Sequence, residues 1–266
     1  MPESIFTQPI DFSKSEQYTL SIRLRTDGFS FSVFVPTQEE ATNYFHHAIN
    51  PALSLTANLK QALTRYEFLS CSYKRVLVLS AGNRYTSLPA ECYDPEEKEI
   101  IFYHNHPHRD NEIVLGNVLK REQIVFLFGM EKSAYYLLLQ QYPHARFYHP
   151  VFPLTGWFAV KSKLGNSRKM LAFIRNDSVD ILCYERGRLL LANSFTCQHT
   201  EDRIYYLLYV WKQVRFDQQR DELHLAGTLT EKEKLLTGLR RFIGEVFIVN
   251  PSEYIDMEAL LTLDTD

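Results

Sequence analysis

The stretch LAFIRNDSVDILCY, Leu171 to Tyr184, sets two apolar runs on either side of Arg175-Asn176-Asp177-Ser178. Asn and Asp favour tight turns because their short polar side chains bond the backbone just beyond them, so the stretch reads as strand, turn, strand. An acidic turn between two strands is also where several nucleotide-binding folds hold a phosphate and its metal. The stretch is therefore either such a site or a plain hairpin.

Working outward, RKMLAFIRN and SVDILCYER read as strands and GRLLLANSF as a third, which makes a meander. HTEDRIYYLLYVWKQV follows with Ile204, Leu207, Leu208 and Trp211 at helical spacing, Thr200 as the expected N-cap, and Glu201 and Asp202 at the positive helix start. DELHLAGTL then reads as a short strand, TEKEKLLTGLRRFI as a helix capped by Thr230, and GEVFIV as a last strand. The order is β-β-β-α-β-α-β.

The first half repeats it. YTLSIRL and FSFSVFVP flank Thr26-Asp27-Gly28, TNYFHHAI supplies a third strand, LSLTANLKQALTRYEFL a helix and KRVLVLS a fourth strand. The separation from Gly28 to Val76 matches that from Asp177 to Glu222 within loop variation. An insertion near 81–130 then brings a helix capped by Asp94 with Pro95 at its first position and the strands EIVLGNVL and QIVFLFGM, before EKSAYYLLLQQY and ARFYHPV close the repeat. The expected division is a first subdomain over 1–150, a connecting helix and linker over 151–168, and a second subdomain over 169–266.

This duplicated order resembles the ribonuclease-H-like unit of the actin-like ATPase superfamily, which includes actin, sugar kinases, chaperone ATPases and the pilus-assembly protein PilM. The resemblance implies an α/β fold of two subdomains, each with a mixed five-stranded sheet flanked by helices. The runs YTSLPAECYD, ARFYHPVFPLTGWF, LANSFTCQHTEDRIYYLLYVWKQ and DELHLAGTL are similar to those of a bacterial family of unknown function in the same superfamily.

In active members of the superfamily each half opens with a strand ending in an acid, followed by a glycine turn, because phosphoryl transfer relies on positioning and charge neutralisation. Here the turns read LRTDGFS and IRNDSVD, with Arg25 and Arg175 where the acids belong, Asp27 and Asp177 within the turns, and Gly28 only in the first. Of the glycine pair that packs on adenine, Gly227 remains. With 10 glycines in 266 residues, phosphate loops are disfavoured throughout. Arg25, Asp27, Gly28, Arg175, Asp177 and Gly227 are the candidate cleft positions; the plainer reading has the arginines on solvated strand edges and the aspartates shaping turns. The expected function is a non-catalytic binding or scaffold module with no cofactor and a protein partner, and the alternative is an ATPase or phosphotransferase using ATP and Mg with unorthodox loops.

Other chemistry is thin. YHNHPHRD offers His104, His106 and His108, similar to the H-x-H-P element of JAMM-type zinc peptidases, but the serine and aspartate that motif needs downstream are replaced by IVLGN. Exposed histidines on a helix-ending loop are expected, with no metal. Cys71, Cys92, Cys183 and Cys197 lack C-x-x-C spacing and read as buried or partly buried free thiols, and His199 beside Cys197 lacks an orienting third group. A net charge of -3 gives no reason to bind nucleic acid, and no apolar run nears the roughly 18 residues of a membrane span. With no secretory signal apparent, a soluble cytoplasmic protein is expected. The aromatic helix IYYLLYVWKQVRF is expected to pack on its sheet; aromatic side chains on its outer face would instead mark a partner surface.

Overall fold

A computed structural model describes residues 10–36, 42–250 and 252–263. The chain divides into two compact units, Met1–Asn117 with Val125–His149, and Val118–Ile124 with Pro150–Asp266.

In the first unit β1 (Thr19–Leu24), β2 (Gly28–Phe34) and β3 (Thr42–Ala48) form the antiparallel meander. Helix α1 (Leu55–Arg65) then crosses to β4 (Arg75–Ser80), which lies parallel to β1. The insertion holds β5 (Tyr85–Pro89), α2 (Lys98–Asn105), β6 (Glu112–Leu119) and β7 (Ile124–Glu131), and α3 (Lys132–Gln141) returns the chain to β8 (Arg146–Tyr148), parallel to β4. The five-stranded sheet runs β3-β2-β1-β4-β8, and the inserted strands form a separate sheet, β5-β7-β6.

The second unit starts with α4 (Val151–Ser162), followed by β9 (Lys169–Ile174), β10 (Ser178–Glu185) and β11 (Arg188–Thr196). Then come α5 (Thr200–Gln213), β12 (Glu222–Gly227), α6 (Lys232–Arg240), β13 (Glu245–Asn250) and α7 (Ile255–Thr262). Its sheet, β11-β10-β9-β12-β13, has the same order and the same parallel and antiparallel pairings as the first. The duplication is real at the level of topology.

Alternation along each strand builds the cores. Leu20, Ile22 and Leu24 of β1 join Phe29, Phe31 and Val33 of β2 under Leu59 and Ala62 of α1. In the second unit Met170, Ala172 and Ile174 of β9 meet Val179, Ile181 and Cys183 of β10 beneath Leu207, Val210 and Trp211 of α5. Each fully buried Leu, Phe or Ile side chain contributes about 1.5–3 kcal/mol through loss of apolar contact with water. The inserted sheet has its own small core of Phe102, Val114, Val125 and Leu127.

Several local expectations are corrected. The helix expected from Pro95 begins at Lys98, because the Asp94 carboxylate accepts the Glu96 N–H at 2.9 Å and turns the chain first. His199, not Thr200, caps α5, with the Asp202 carboxylate accepting the His199 N–H at 3.0 Å. Glu231, at φ +48°, and not Thr230, caps α6. Strand β5 and helix α7 are additions to the expected elements. Cys92 is exposed, against the expectation of buried or partly buried thiols, while Cys71 is half-buried and Cys183 and Cys197 are buried.

Candidate functional site

The two opening hairpins are matching two-residue turns. The Arg25 N–H donates to the Gly28 carbonyl at 3.0 Å, and the Arg175 N–H to the Ser178 carbonyl at 2.9 Å. Arg25 therefore corresponds to Arg175, Asp27 to Asp177 and Gly28 to Ser178. The backbone is repeated; the side-chain chemistry is not.

In the first unit Arg25 pairs with Asp27 across the turn, Nη2 to Oδ2 at 3.1 Å, with the Arg25 side chain 9% exposed and Asp27 38%. Gly28 serves packing. A Cβ there would lie 2.7 Å from the His47 carbonyl oxygen, so β3 approaches β2 too closely for a side chain.

Beside this turn, at the C-terminal ends of β1 and β4, lies a cavity of about 640 Å³. Arg25 and Thr26 line one side and the insertion supplies Arg84, Arg109 and Glu112. Arg84 grips Glu112 with both ends of its fork, Nε to Oε1 at 2.9 Å and Nη2 to Oε2 at 2.8 Å. Glu131 lines the cavity too, accepting a 2.5 Å hydrogen bond from the Thr56 hydroxyl.

In the second unit Arg175 turns inward. It is 3% exposed and donates from Nη2 to Asp180 Oδ1 at 3.1 Å and to the Ser194 hydroxyl at 3.4 Å. The expectation of an arginine on a solvated strand edge fails here, because Asp180 supplies a buried counter-charge one strand away. Burial pushes the Asp180 carboxyl above the usual carboxylate range and the Arg175 guanidinium opposes that shift.

A second buried guanidinium completes the cluster. Arg203 of α5 is 4% exposed and donates from Nη2 to the Arg175 carbonyl at 3.2 Å and the Asn176 carbonyl at 2.9 Å, and from Nη1 to the Thr230 hydroxyl at 3.3 Å. A phosphate turn offers N–H donors to an anion. This turn offers two carbonyls to a cation from its own chain.

Gly227 sits at φ +88°, where a Cβ would lie 2.3 Å from the Ile174 carbonyl oxygen. The end of β12 thus needs glycine for backbone reasons. Asp177 accepts a hydrogen bond from the Ser178 hydroxyl at 2.9 Å. Within the first unit the structure brings Arg25, Asp27 and Gly28 together; within the second it gathers Arg175, Asp177 and Gly227 around one strand end.

The histidines disperse. His104 and His108 are exposed, while the ring of His106 packs on Phe102 and its Nε2 donates to the Tyr85 carbonyl at 3.1 Å. Among the described residues no group of three His, Cys, Asp or Glu side chains is placed to hold a metal. Cys197 lies beyond the end of β11, its Sγ on the Phe195 carbonyl at 3.5 Å, and burial lifts its pKa to about 11. No helix is long and apolar enough to cross a membrane among the described residues.

Sequence reasoning missed Asp180, Ser194 and Arg203, and in the first unit Arg84, Arg109, Glu112 and Glu131. One signal was available. Arg203 precedes Leu207, Val210 and Trp211 by four, seven and eight positions, which sets it on the apolar face of α5.

The family model described as Protein of unknown function (DUF3822) matches residues 7–246. A crystal structure from Bacteroides thetaiotaomicron VPI-5482, described as a protein with actin-like ATPase fold and unknown function, is 56% identical, with a TM-score of 0.93 over 97% of this chain and 100% of that one. The PilM-PilN type IV pilus biogenesis complex matches at 12% identity and a TM-score of 0.55, over 91% of this chain and 90% of that chain, a likeness of fold. No curated protein matches. The fold is that of the actin-like ATPases, as the element order implied.

Proposed function

Since the chain belongs to the DUF3822 family of proteins of unknown function, and carries the actin-like ATPase fold, we propose that it is a non-catalytic binding module. The observation that carries this reading is Arg203, whose guanidinium occupies the carbonyls of the second turn. Charge-assisted bonds of this kind are about twice as strong as neutral ones, and a buried cation that loses its partners costs several kcal/mol. Rearranging the turn to present N–H groups to a phosphate would break them. The Asp180 carboxyl, fully buried beside Arg175, exposes no oxygen to a hydrated Mg²⁺.

The partner in this reading is a protein. Tyr205 and Tyr209, 62% and 46% exposed, stack on the outer face of α5 with ring centroids 6.2 Å apart. Aromatic side chains of this kind are enriched at interface cores. PilM has been solved together with PilN. The free thiols support a reducing, cytoplasmic setting.

The test is phosphate release from Mg-ATP by the purified chain, together with a thermal shift on adding Mg-ATP. Neither is expected. Turnover that disappears in Asp27→Ala or Asp177→Ala would overturn the reading in favour of an ATPase or phosphotransferase.

A further inference from the structure

Strand register gathers four loops of the second unit at one end of its sheet. Glu245 of β13 stands opposite Glu222 of β12, Glu222 opposite Lys169 of β9, Lys169 opposite Tyr184 of β10, and the neighbouring Glu185 opposite Arg188 of β11. These residues form one row across the sheet, so the loops that meet it, 163–168, 186–187, 214–221 and 241–244, cluster there. The Gly244 N–H donates to the Gln218 carbonyl at 2.8 Å, and the Lys163 stem lies over Gly187, where a Cβ would be 2.5 Å from the Lys163 Cε. The Arg175 turn and Gly227 lie at the other end of the same strands.

Although the chain has a net charge of -3, this end is rich in cations. Lys163, Arg186, Arg188, Arg215, Arg220 and Arg241 are exposed, and the five arginines join no ion pair among the described residues. Arg168 and Lys169 are matched by Asp221 and Glu222. Of the exposed carboxylates here, Asp217 accepts the Gln219 and Arg220 N–H groups, while Glu185 and Glu245 leave the cations in excess. Attraction to helix C-termini accounts for Lys163, Arg215 and Arg241. It does not account for Arg186, Arg188 and Arg220, which lie on a hairpin turn, a strand start and a loop. Arg186 and Arg215 hold φ of +50° and +55°, a left-handed backbone that glycine would adopt without steric cost, so the cations stand there against local preference.

Two apolar side chains project among these charges. Leu164, 70% exposed, follows Lys163 in the loop after α4, and Phe242, 50% exposed, follows Arg241 in the loop after α6. Apolar tips set in a cationic surface match the layering of an anionic bilayer, whose charged headgroups overlie the acyl boundary. A nucleic acid would draw on the cations through its phosphates and leave Leu164 in water.

We propose that this end of the second unit docks on an anionic lipid surface, with Arg186, Arg188, Arg220 and Arg241 on the headgroups and Leu164 and Phe242 at the acyl boundary. The proposal goes beyond the non-catalytic reading and does not depend on it, since it concerns a surface remote from both opening hairpins.

Sedimentation of the full chain with lipid vesicles tests it. Binding is expected to phosphatidylcholine vesicles that contain phosphatidylserine and not to phosphatidylcholine alone, and it should weaken as salt rises. Arg186→Glu with Arg220→Glu should weaken binding at least about twentyfold, from about fivefold for each cation near the surface, whereas Arg186→Lys with Arg220→Lys retains it. Leu164→Ser with Phe242→Ser should weaken it too, with the urea midpoint of each exposed-site variant unchanged. The proposal is overturned if phosphatidylserine adds nothing, if the glutamate pair or the serine pair binds as well as the parent chain, or if a DNA duplex or polyglutamate binds more tightly than the vesicles at equal salt.

Discussion

Arg203 reaches from the first turn of α5 to the backbone of the β9–β10 hairpin, with its Nη2 2.9 Å from the carbonyl of Asn176. The contact ties a helix to a turn through a buried cation that no carboxylate among the described residues neutralises directly. Arg203→Met keeps most of the apolar bulk and removes every donor, leaving the carbonyls of Arg175 and Asn176 and the Thr230 hydroxyl without this partner. A loss of about 3 kcal/mol is expected, read as a lower urea midpoint, with Arg203→Lys recovering part of it. An unchanged midpoint in Arg203→Met would remove the basis for the occupied turn.

Gly227→Ala should destabilise the second unit by about 1–3 kcal/mol, because the new side chain would have to hold a left-handed backbone and push aside the Ile174 carbonyl. The comparison is Gly165→Ala. Gly165 also has positive φ, but a Cβ there meets nothing within 4 Å, so it isolates the backbone part of the effect. Chemical denaturation of the two variants side by side gives the difference.

Stability should fall on mild acidification. His224, whose Nε2–H donates to Glu222 Oε2 at 2.8 Å, is held below its ordinary value of 6.5, first by burial, with Glu222 opposing. The unfolded chain therefore takes up this proton before the folded chain does, so stability drops as pH falls below about 6.5 towards the lowered folded value. Burial raises Glu222, but hydrogen bonds from Lys169, Ser167 and His224 together with the Lys169 charge lower it below its ordinary value; its contribution is present above 4.5 and is lost as pH falls through the folded value. Thermal midpoints between pH 7 and 5 should decline in the parent chain and decline less in His224→Gln.

Thiol titration should separate Cys92 from Cys183 and Cys197. Cys92 is exposed and should react with an aromatic disulfide reagent within minutes, whereas Cys183, whose burial pushes its pKa up to about 12, and Cys197 should stay silent until urea unfolds the chain. Rapid reaction at Cys197 in the folded protein would contradict its placement on the Phe195 carbonyl.

The sequence made the duplicated sheet legible because each opening hairpin alternates cleanly and each turn carries Asp. It could not reveal the direction of Arg175. Residues at a strand end can point to either side of the turn, and the deciding counter-charge, Asp180, sits within an apolar run that reads simply as strand. Helix α7 escaped for a related reason. Ile255, Asp256, Met257, Ala259 and Leu260 are all buried, so its pattern has no polar face to mark a helical period. Strand β5 is short and ends in Pro89, which weakened its strand signal. The loop after α2 reads from sequence only as histidines, while its placement beside the cavity depends on Arg84 holding the Pro107 carbonyl, a contact between residues 23 apart in the chain.

The inserted sheet rests on a small core of its own around Phe102, Val114, Val125 and Leu127. Its other face is shared, because Met130 of β7 is buried in the main core and Ile113 and Leu115 of β6 pack against that core. Amide protons of α2 should then exchange ahead of those in β6 and β7, which the main core holds. The inserted sheet is thus a bridge between a small core and a large one, and its strands draw on the stability of the first sheet.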